Sequence, residues 1–231
     1  MQDSRPPIIV ILVAISLLIV GVAVGYPTVM EGLVWRLEKV HPMPGYSQRL
    51  LERRMEQGYE AWDALADKDA ILIIGDSHLY AIPSILMPGA INLSIGGQSI
   101  SRIAKRMARM KSLKKVKQVV IGGGYNDLVE GRKLSEISHS WREALSVVPE
   151  PVKIVCVGIP SGRGALPSRA DDISKLNQML REICELRKSK FLYAGTENPA
   201  FSGVDAFSQD GIHLVPEATR ILANLVKVAL E

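Results

Sequence analysis

Ala70-Ile71-Leu72-Ile73-Ile74-Gly75-Asp76-Ser77-His78 is the stretch from which the rest of the chain can be organised. Four consecutive aliphatic residues, three of them β-branched, are closed by a glycine and then by three polar residues. So short an apolar run without polar alternation reads as a strand buried on both faces, the kind found inside a parallel sheet. Its polar continuation falls just beyond the strand's carboxyl end.

The same pattern recurs downstream. Ala90–Leu93, Gln118–Ile121, Lys153–Val157 and Phe191–Ala194 read as further buried strands. Between and after them, segments near Ser99–Ser112, Leu134–Val147, Asp171–Arg187 and Pro216–Leu230 show helical spacing of apolar residues. This alternation predicts an α/β domain in three layers, α/β/α, with a parallel sheet of about five strands and right-handed crossovers. Ligands of such sheets bind beyond the carboxyl ends of the strands, so the residues that follow each run are the ones to compare.

Those residues form a set: Gly75-Asp76-Ser77-His78 after the first strand, Ser94-Ile95-Gly96-Gly97 after the second, Gly122-Gly123-Gly124-Tyr125-Asn126-Asp127 after the third. Asp210-Gly211-Ile212-His213 stands near the carboxyl terminus. Singly, each has an ordinary explanation as a turn, a helix cap or a surface pair. Together they match one chemistry. A serine hydroxyl is a weak nucleophile near neutral pH and needs a base; His213 can serve Ser77, with Asp210 holding the imidazole in the required tautomer. Attack on an ester carbonyl places negative charge on oxygen, which backbone N–H groups at Ser77 and Gly97 and the side-chain amide of Asn126 can stabilise.

The four blocks resemble those of the GDSL/SGNH hydrolases. Gly75-Asp76-Ser77-His78 is similar to the first block, with His78 where leucine is commonest. Asn92-Leu93-Ser94-Ile95-Gly96-Gly97 resembles the glycine block, Gly124-Tyr125-Asn126-Asp127 the asparagine block and Asp210-Gly211-Ile212-His213 the last. The similarity runs from about Ile71 to the end and includes Leu176-Asn177; Ala218 stands where a glycine often follows the final block. It implies a flavodoxin-like sheet and ester hydrolysis with no metal and no other cofactor. It also implies Ser77, Asp210 and His213 as the catalytic triad and Ser77, Gly97 and Asn126 as the oxyanion hole. Leu79 excludes the Gly-x-Ser-x-Gly elbow of the α/β-hydrolases. Of the other histidines, His41 falls in a connector, His139 in a helix, and His78 reads as a wall of the pocket, with no metal-ligand spacing among them.

Upstream, Pro6 to Met30 carries no charge, and Ile8–Val24 is aliphatic apart from Ser16 and Gly21. About 20 such residues in a helix span a bilayer core. Residues 1–30 are therefore expected to be a single transmembrane anchor, with a cleaved signal peptide as the alternative because of the small residues at Ala23-Val24-Gly25. Residues 31–69 read as a juxtamembrane connector broken at His41-Pro42-Met43-Pro44-Gly45, then a helix with an apolar stripe of Leu51, Met55, Trp62 and Leu65 packed on the domain or the bilayer. Residues 70–231 form the hydrolase domain. The expected location is a membrane, with this domain on its extracytoplasmic side.

The net charge of +4 is concentrated in one place. Eight of the 28 basic residues (Arg102, Lys105, Arg106, Arg109, Lys111, Lys114, Lys115, Lys117) lie in a span with no acidic residue, so the remainder, with 24 acidic residues, is mildly acidic. With Ile100, Ile103, Met107 and Met110 as the apolar side, this span is expected to be an amphipathic helix with its basic face in solvent. Aromatic residues make up only 5%, and no nucleic-acid motif surrounds the cluster, so nucleic acid is not an expected partner. Gly162–Arg169 reads as a solvated loop after the fourth strand. Cys156 and Cys184 are expected to be buried thiols, a disulfide between them being the alternative.

The expected substrate is a small acyl ester, including an acylated carbohydrate. An acyltransferase working through the same acyl-enzyme with a sugar acceptor is the second reading, and a noncatalytic membrane-anchored binding protein of the same fold the third. The intact set of five site residues argues against the third.

Overall fold

The structure is a computed structural model that describes residues 46–161, 170–195 and 198–231. The expected anchor at 1–30, the first part of the connector with His41, and the 162–169 loop lie outside the described residues, as does the side chain of Leu51. Among the described residues no helix is long and apolar enough to cross a membrane. The chain divides into two compact units, Met1–Gln57 and Gly58–Glu231, and the second carries the sheet.

The elements run α1 (Tyr46–Leu65), β1 (Ile71–Ile74), α2 (Ser77–Tyr80), β2 (Ala90–Asn92), α3 (Ile100–Met107), β3 (Gln118–Gly122), α4 (Tyr125–Val129), α5 (Leu134–Ser146), β4 (Lys153–Val157), α6 (Ala170–Leu186), β5 (Lys190–Leu192) and α7 (Pro216–Leu230). The five strands are ordered β2-β1-β3-β4-β5, and every pairing is parallel. This is the doubly wound flavodoxin-like order, in which the chain starts at β1, steps to one side, then crosses to build the other.

Strand side chains alternate between two cores, as a period of two requires. Leu72, Ile74, Val119, Ile121, Ile154 and Cys156 face a core completed by α3, α5 and α6, with Trp141 of α5 fully buried in it. Ile73, Val120, Val155 and Val157 face the opposite core, which α7 covers with Ala218, Leu222, Ala223, Val226 and Ala229. Their helical spacing puts those five residues on one stripe, and Pro216, which needs no intrahelical N–H partner, opens the helix.

Two expectations are corrected. Cys156 and Cys184 are joined in a disulfide: β4 and α6 bring their Cα atoms to 6.6 Å, and both face the same core. The basic span is not one helix. α3 ends at Met107, and the later lysines lie on a turn and loop leading to β3. Arg106 moreover is buried, donating from Nε to Gln98 Oε1 at 3.3 Å with its guanidinium 6.0 Å from the Tyr59 ring centroid. On α1 the end of the expected stripe does not pack on the domain: Trp62 and Leu65 are 54% and 73% exposed. The face that packs there carries Tyr59, Asp63 and Ala66 instead. Tyr59 donates to the Ser94 carbonyl, while the buried Asp63 carboxylate accepts from the backbone of Lys111 and Ser112 and from the Ser112 hydroxyl. Hydrogen bonds thus accompany the apolar contacts of Tyr59 and Ala66 on this face.

The tightest backbone approach in the sheet lies at Gly75. A Cβ there would fall 2.7 Å from the carbonyl oxygen of Gly122 and 2.7 Å from Leu79 Cδ1. The carbonyl belongs to paired backbone and cannot yield as a flexible side chain would. Gly75→Ala is expected to lower unfolding free energy by roughly 1–3 kcal/mol, the usual cost of overpacking. Denaturant unfolding of the variant beside the parent measures it.

Candidate active site

The turn after β1 carries Ser77, the expected nucleophile. Asp76 is the N-cap of α2, its carboxylate accepting from the backbone N–H of His78 at 3.1 Å, and Ser77 is the first helical residue. N–H groups in a first helical turn have no partner within the helix, so the Ser77 amide is oriented to serve a ligand. Gly96 lies alongside, where a Cβ would sit 3.8 Å from Ser77 Cβ.

The turn before α7 brings Asp210 and His213 to it. His213 Nε2 accepts from Ser77 Oγ at 3.0 Å, and His213 Nδ1 donates to Asp210 Oδ2 at 2.6 Å. Asp210 Oδ1 accepts from the Ser208 hydroxyl at 2.6 Å, the Ile212 amide at 2.9 Å and the His213 amide at 3.0 Å. The Ser208 hydroxyl first, then His213 and the two amides, hold the Asp210 carboxyl well below the usual carboxylate range. It stays ionised, so the imidazole keeps its proton on Nδ1 and offers Nε2 to the serine. His213 and Asp210 are about half exposed, and Ser77 is half-buried. The site opens to solvent.

The other two blocks meet beside this relay. Gly97 has φ +79°, a conformation that favours glycine, and it turns the chain between Gly96 at the serine and Gln98. Asn126 Nδ2 donates one hydrogen to the Gln98 carbonyl at 3.1 Å, which fixes the amide plane and leaves its second hydrogen for a ligand. The buried Asp127 adds a second tie, Oδ2 accepting from the Ile100 amide at 2.7 Å at the start of α3. Trp141 donates to the Gly123 carbonyl at 3.2 Å, and Asn177 holds the amide and carbonyl of Ile159 at 2.8 Å each. The glycine and asparagine blocks are thus tied from behind by the buried side chains of Asp127 and Trp141.

The structure therefore brings Ser77, Asp210 and His213 into one hydrogen-bonded chain, with Gly96 beside Ser77 and Asn126 tied to the same turn through Gln98. The sequence does not single out Gln98, Ser208 or the support Trp141, while Asp127 stands in the asparagine block without its supporting role. Only Ser208 left a local signal, as a hydroxyl residue two positions before an Asp. His78 is not a wall of the pocket but a buried ring joined to both Asp76 and Ile212. His139 is exposed, 3.5 Å from Glu143. Among the described residues no group of three or more His, Cys, Asp or Glu could hold a metal ion.

No family model matches the chain, and no curated protein matches it. Solved structures do. A GDSL-like lipase from Bacteroides thetaiotaomicron superposes with TM-score 0.65 at 17% identity, over 76% of this chain and 96% of that one. A catalytic mutant of an acetylxylan esterase from Geobacillus stearothermophilus gives 0.58 at 16%, over 71% and 95%. The C-terminal catalytic domain of a peptidoglycan O-acetyltransferase from Streptococcus pneumoniae gives 0.57 at 17%, over 71% and 94%. The chain has the fold of the GDSL/SGNH hydrolases, as the four sequence blocks imply.

Asp127 gives the site a pH-dependent stability. Burial, with Oδ1 lacking a hydrogen-bond partner, pushes its carboxyl up to about 6 from 3.8, although the Ile100 amide and Arg132 act in the opposite direction. The folded state thus binds this proton more tightly than the unfolded chain. The associated stability is present below the unfolded value of 3.8 and is lost as pH rises through about 6. Asp127→Asn, which keeps an oxygen for the Ile100 amide, is expected to flatten this part of the profile in urea unfolding followed from about pH 4 to about pH 8.

Proposed function

We propose that the protein is a serine ester hydrolase, tethered to a membrane by residues 1–30, that removes small acyl groups, above all O-acetyl groups on envelope carbohydrate. The observation that carries the chemistry is the Ser77–His213–Asp210 chain of hydrogen bonds. The choice of acetyl esters of carbohydrate is supported by two structural neighbours, the acetylxylan esterase and the peptidoglycan O-acetyltransferase. An extracytoplasmic domain is supported by the Cys156–Cys184 disulfide, since such bonds persist in oxidising compartments.

In this reading Ser77 Oγ attacks the ester carbonyl as its proton passes to His213 Nε2, and Asp210 stabilises the imidazolium. The carbonyl oxygen takes the negative charge and faces the amides of Ser77 and Gly97 and the free N–H of Asn126. Collapse breaks the bond to the alcohol oxygen, which leaves with the proton from His213. A water then repeats the sequence on the acyl-enzyme and restores Ser77. The transferase reading differs only here, a sugar hydroxyl taking the place of water, and the O-acetyltransferase neighbour keeps it in view.

The test of the covalent step is labelling with a fluorophosphonate. One adduct is expected, on Ser77 and not on Ser94 or Ser99. Ser77→Ala abolishes it, and His213→Ala and Asp210→Asn slow it. Absence of labelling in the folded wild type would favour a noncatalytic binding protein. Asn126→Ala is expected to lower kcat on acetyl esters by about 10²–10³ with little change in KM, because its amide acts on charge present in the transition state. Assays with and without sugar acceptors separate acetate release from transfer. Removal of residues 1–30 is expected to move the protein from the membrane fraction to the soluble one with acetyl-ester turnover retained; persistence on the membrane would overturn the tether.

A further inference from the structure

His78 follows the nucleophile directly, and its side chain turns inward. The ring is 5% exposed and lies between two acceptors. Nδ1 is 3.3 Å from Asp76 Oδ1, and Nε2 is 3.0 Å from the Ile212 carbonyl oxygen. Asp76 precedes Ser77 in the chain, and Ile212 precedes His213. The ring therefore connects the turn that carries the nucleophile to the turn that carries the base, across 134 residues of sequence.

A neutral imidazole has one N–H and can satisfy only one of two acceptors. The Ile212 carbonyl can only accept. Asp76 Oδ1 already accepts the His78 backbone amide, which places it as an acceptor for the ring as well. Both contacts are made together when the ring carries both protons. We propose that His78 is a positioning residue, a doubly protonated ring that straps the Ser77 turn to the His213 turn and so holds nucleophile and base within hydrogen-bonding reach.

The surroundings are compatible with a charge there. Asp76 touches the ring and Asp210 lies nearby; the His213 ring is 5.8 Å away centroid to centroid, and Tyr125 meets it edge-on at 6.1 Å. Burial alone would lower the tendency to hold the second proton, but the hydrogen bond and charge of Asp76, the Ile212 carbonyl and the charge of Asp210 outweigh it. The ring is thereby raised above the ordinary histidine value of 6.5. The sign follows: the strap is complete below that value and is lost as pH rises through the raised one. Loss of the strap should therefore give an alkaline decline in activity that the Ser77–His213–Asp210 chain alone does not supply.

The kinetic consequence rests on the hydrolase reading, whereas the protonation state does not, so two measurements separate them. Nitrogen-15 NMR of the imidazoles in the wild-type protein is expected to show both His78 nitrogens protonated at about pH 7. A single N–H there overturns the proposal whatever the activity. On an acetyl ester, His78→Leu is expected to lower kcat by about tenfold to a hundredfold with KM within about twofold, since small displacements of reacting groups are costly. It should also abolish the alkaline decline of kcat/KM. His78→Gln, whose amide can still donate to Ile212 but carries no charge, should recover part of kcat without restoring the decline. An alkaline limb unchanged in both variants overturns the strap. Should His78→Leu fail to fold, the NMR result and the glutamine variant decide.

Discussion

The site depends on how closely two strands approach at their carboxyl ends. β1 and β3 are neighbours in register from Ile71–Gln118 to Ile74–Ile121, and directly beyond that ladder Gly75 faces the Gly122 carbonyl with no room for a side chain. Leu79 fills the space against both glycines, where a Cβ would lie 2.7 Å and 2.9 Å from its Cδ1. Because the chain leaves β1 to one side for β2 and returns to the other for β3, the turns after all three strands are splayed around one crevice. Ser77, Gly97 and Asn126 occupy those turns. The sheet order sets their proximity; the local hydrogen bonds refine it.

A division of labour follows from burial. The groups proposed to meet substrate are half-buried or exposed, whereas those that orient them lie inside: Asp76, His78, Asp127, Trp141 and Asn177 are all buried. A hydrogen bond made out of water's reach is harder to exchange and so holds a geometry better than the same bond at the surface. The cost is visible at Asp127, where one carboxylate oxygen has no hydrogen-bond partner and the group favours its proton. Asp210 is the converse. Exposed and surrounded by four donors, its charge is held without deep burial.

The sequence spoke clearly where one physical signal decided the matter. Apolar runs such as Ile71–Ile74 and Lys153–Val157 coincide with strands because only a doubly covered sheet accommodates them, and Pro216 marks the start of α7. The polar residues that cluster after successive strands were legible as candidates, and the structure joins Ser77, His213 and Asp210 among them by hydrogen bonds. What remained hidden were contacts between positions distant in sequence. Nothing local announces that Asp63 caps the Lys111–Ser112 turn, that Arg106 turns inward to Gln98 and Tyr59, or that Cys156 and Cys184 meet. The apolar spacing of Trp62 and Leu65 did not reveal that the face packed on the domain carries Tyr59, Asp63 and Ala66.

The exposure of the base bears on what can follow acylation. His213 and Asp210 are about half exposed, so the proposed relay lies at the surface of the domain. Water and a sugar hydroxyl present the same O–H to His213 Nε2, so the triad itself has no means of preferring one. Discrimination must come from contacts to the rest of the acceptor, which raise its effective concentration above what water's abundance offsets. Hydrolysis is the outcome that requires no such contacts. The proposed hydrolase reading thus asks least of the surface around Ser77, and a transferase would need a built acceptor site in addition to the relay.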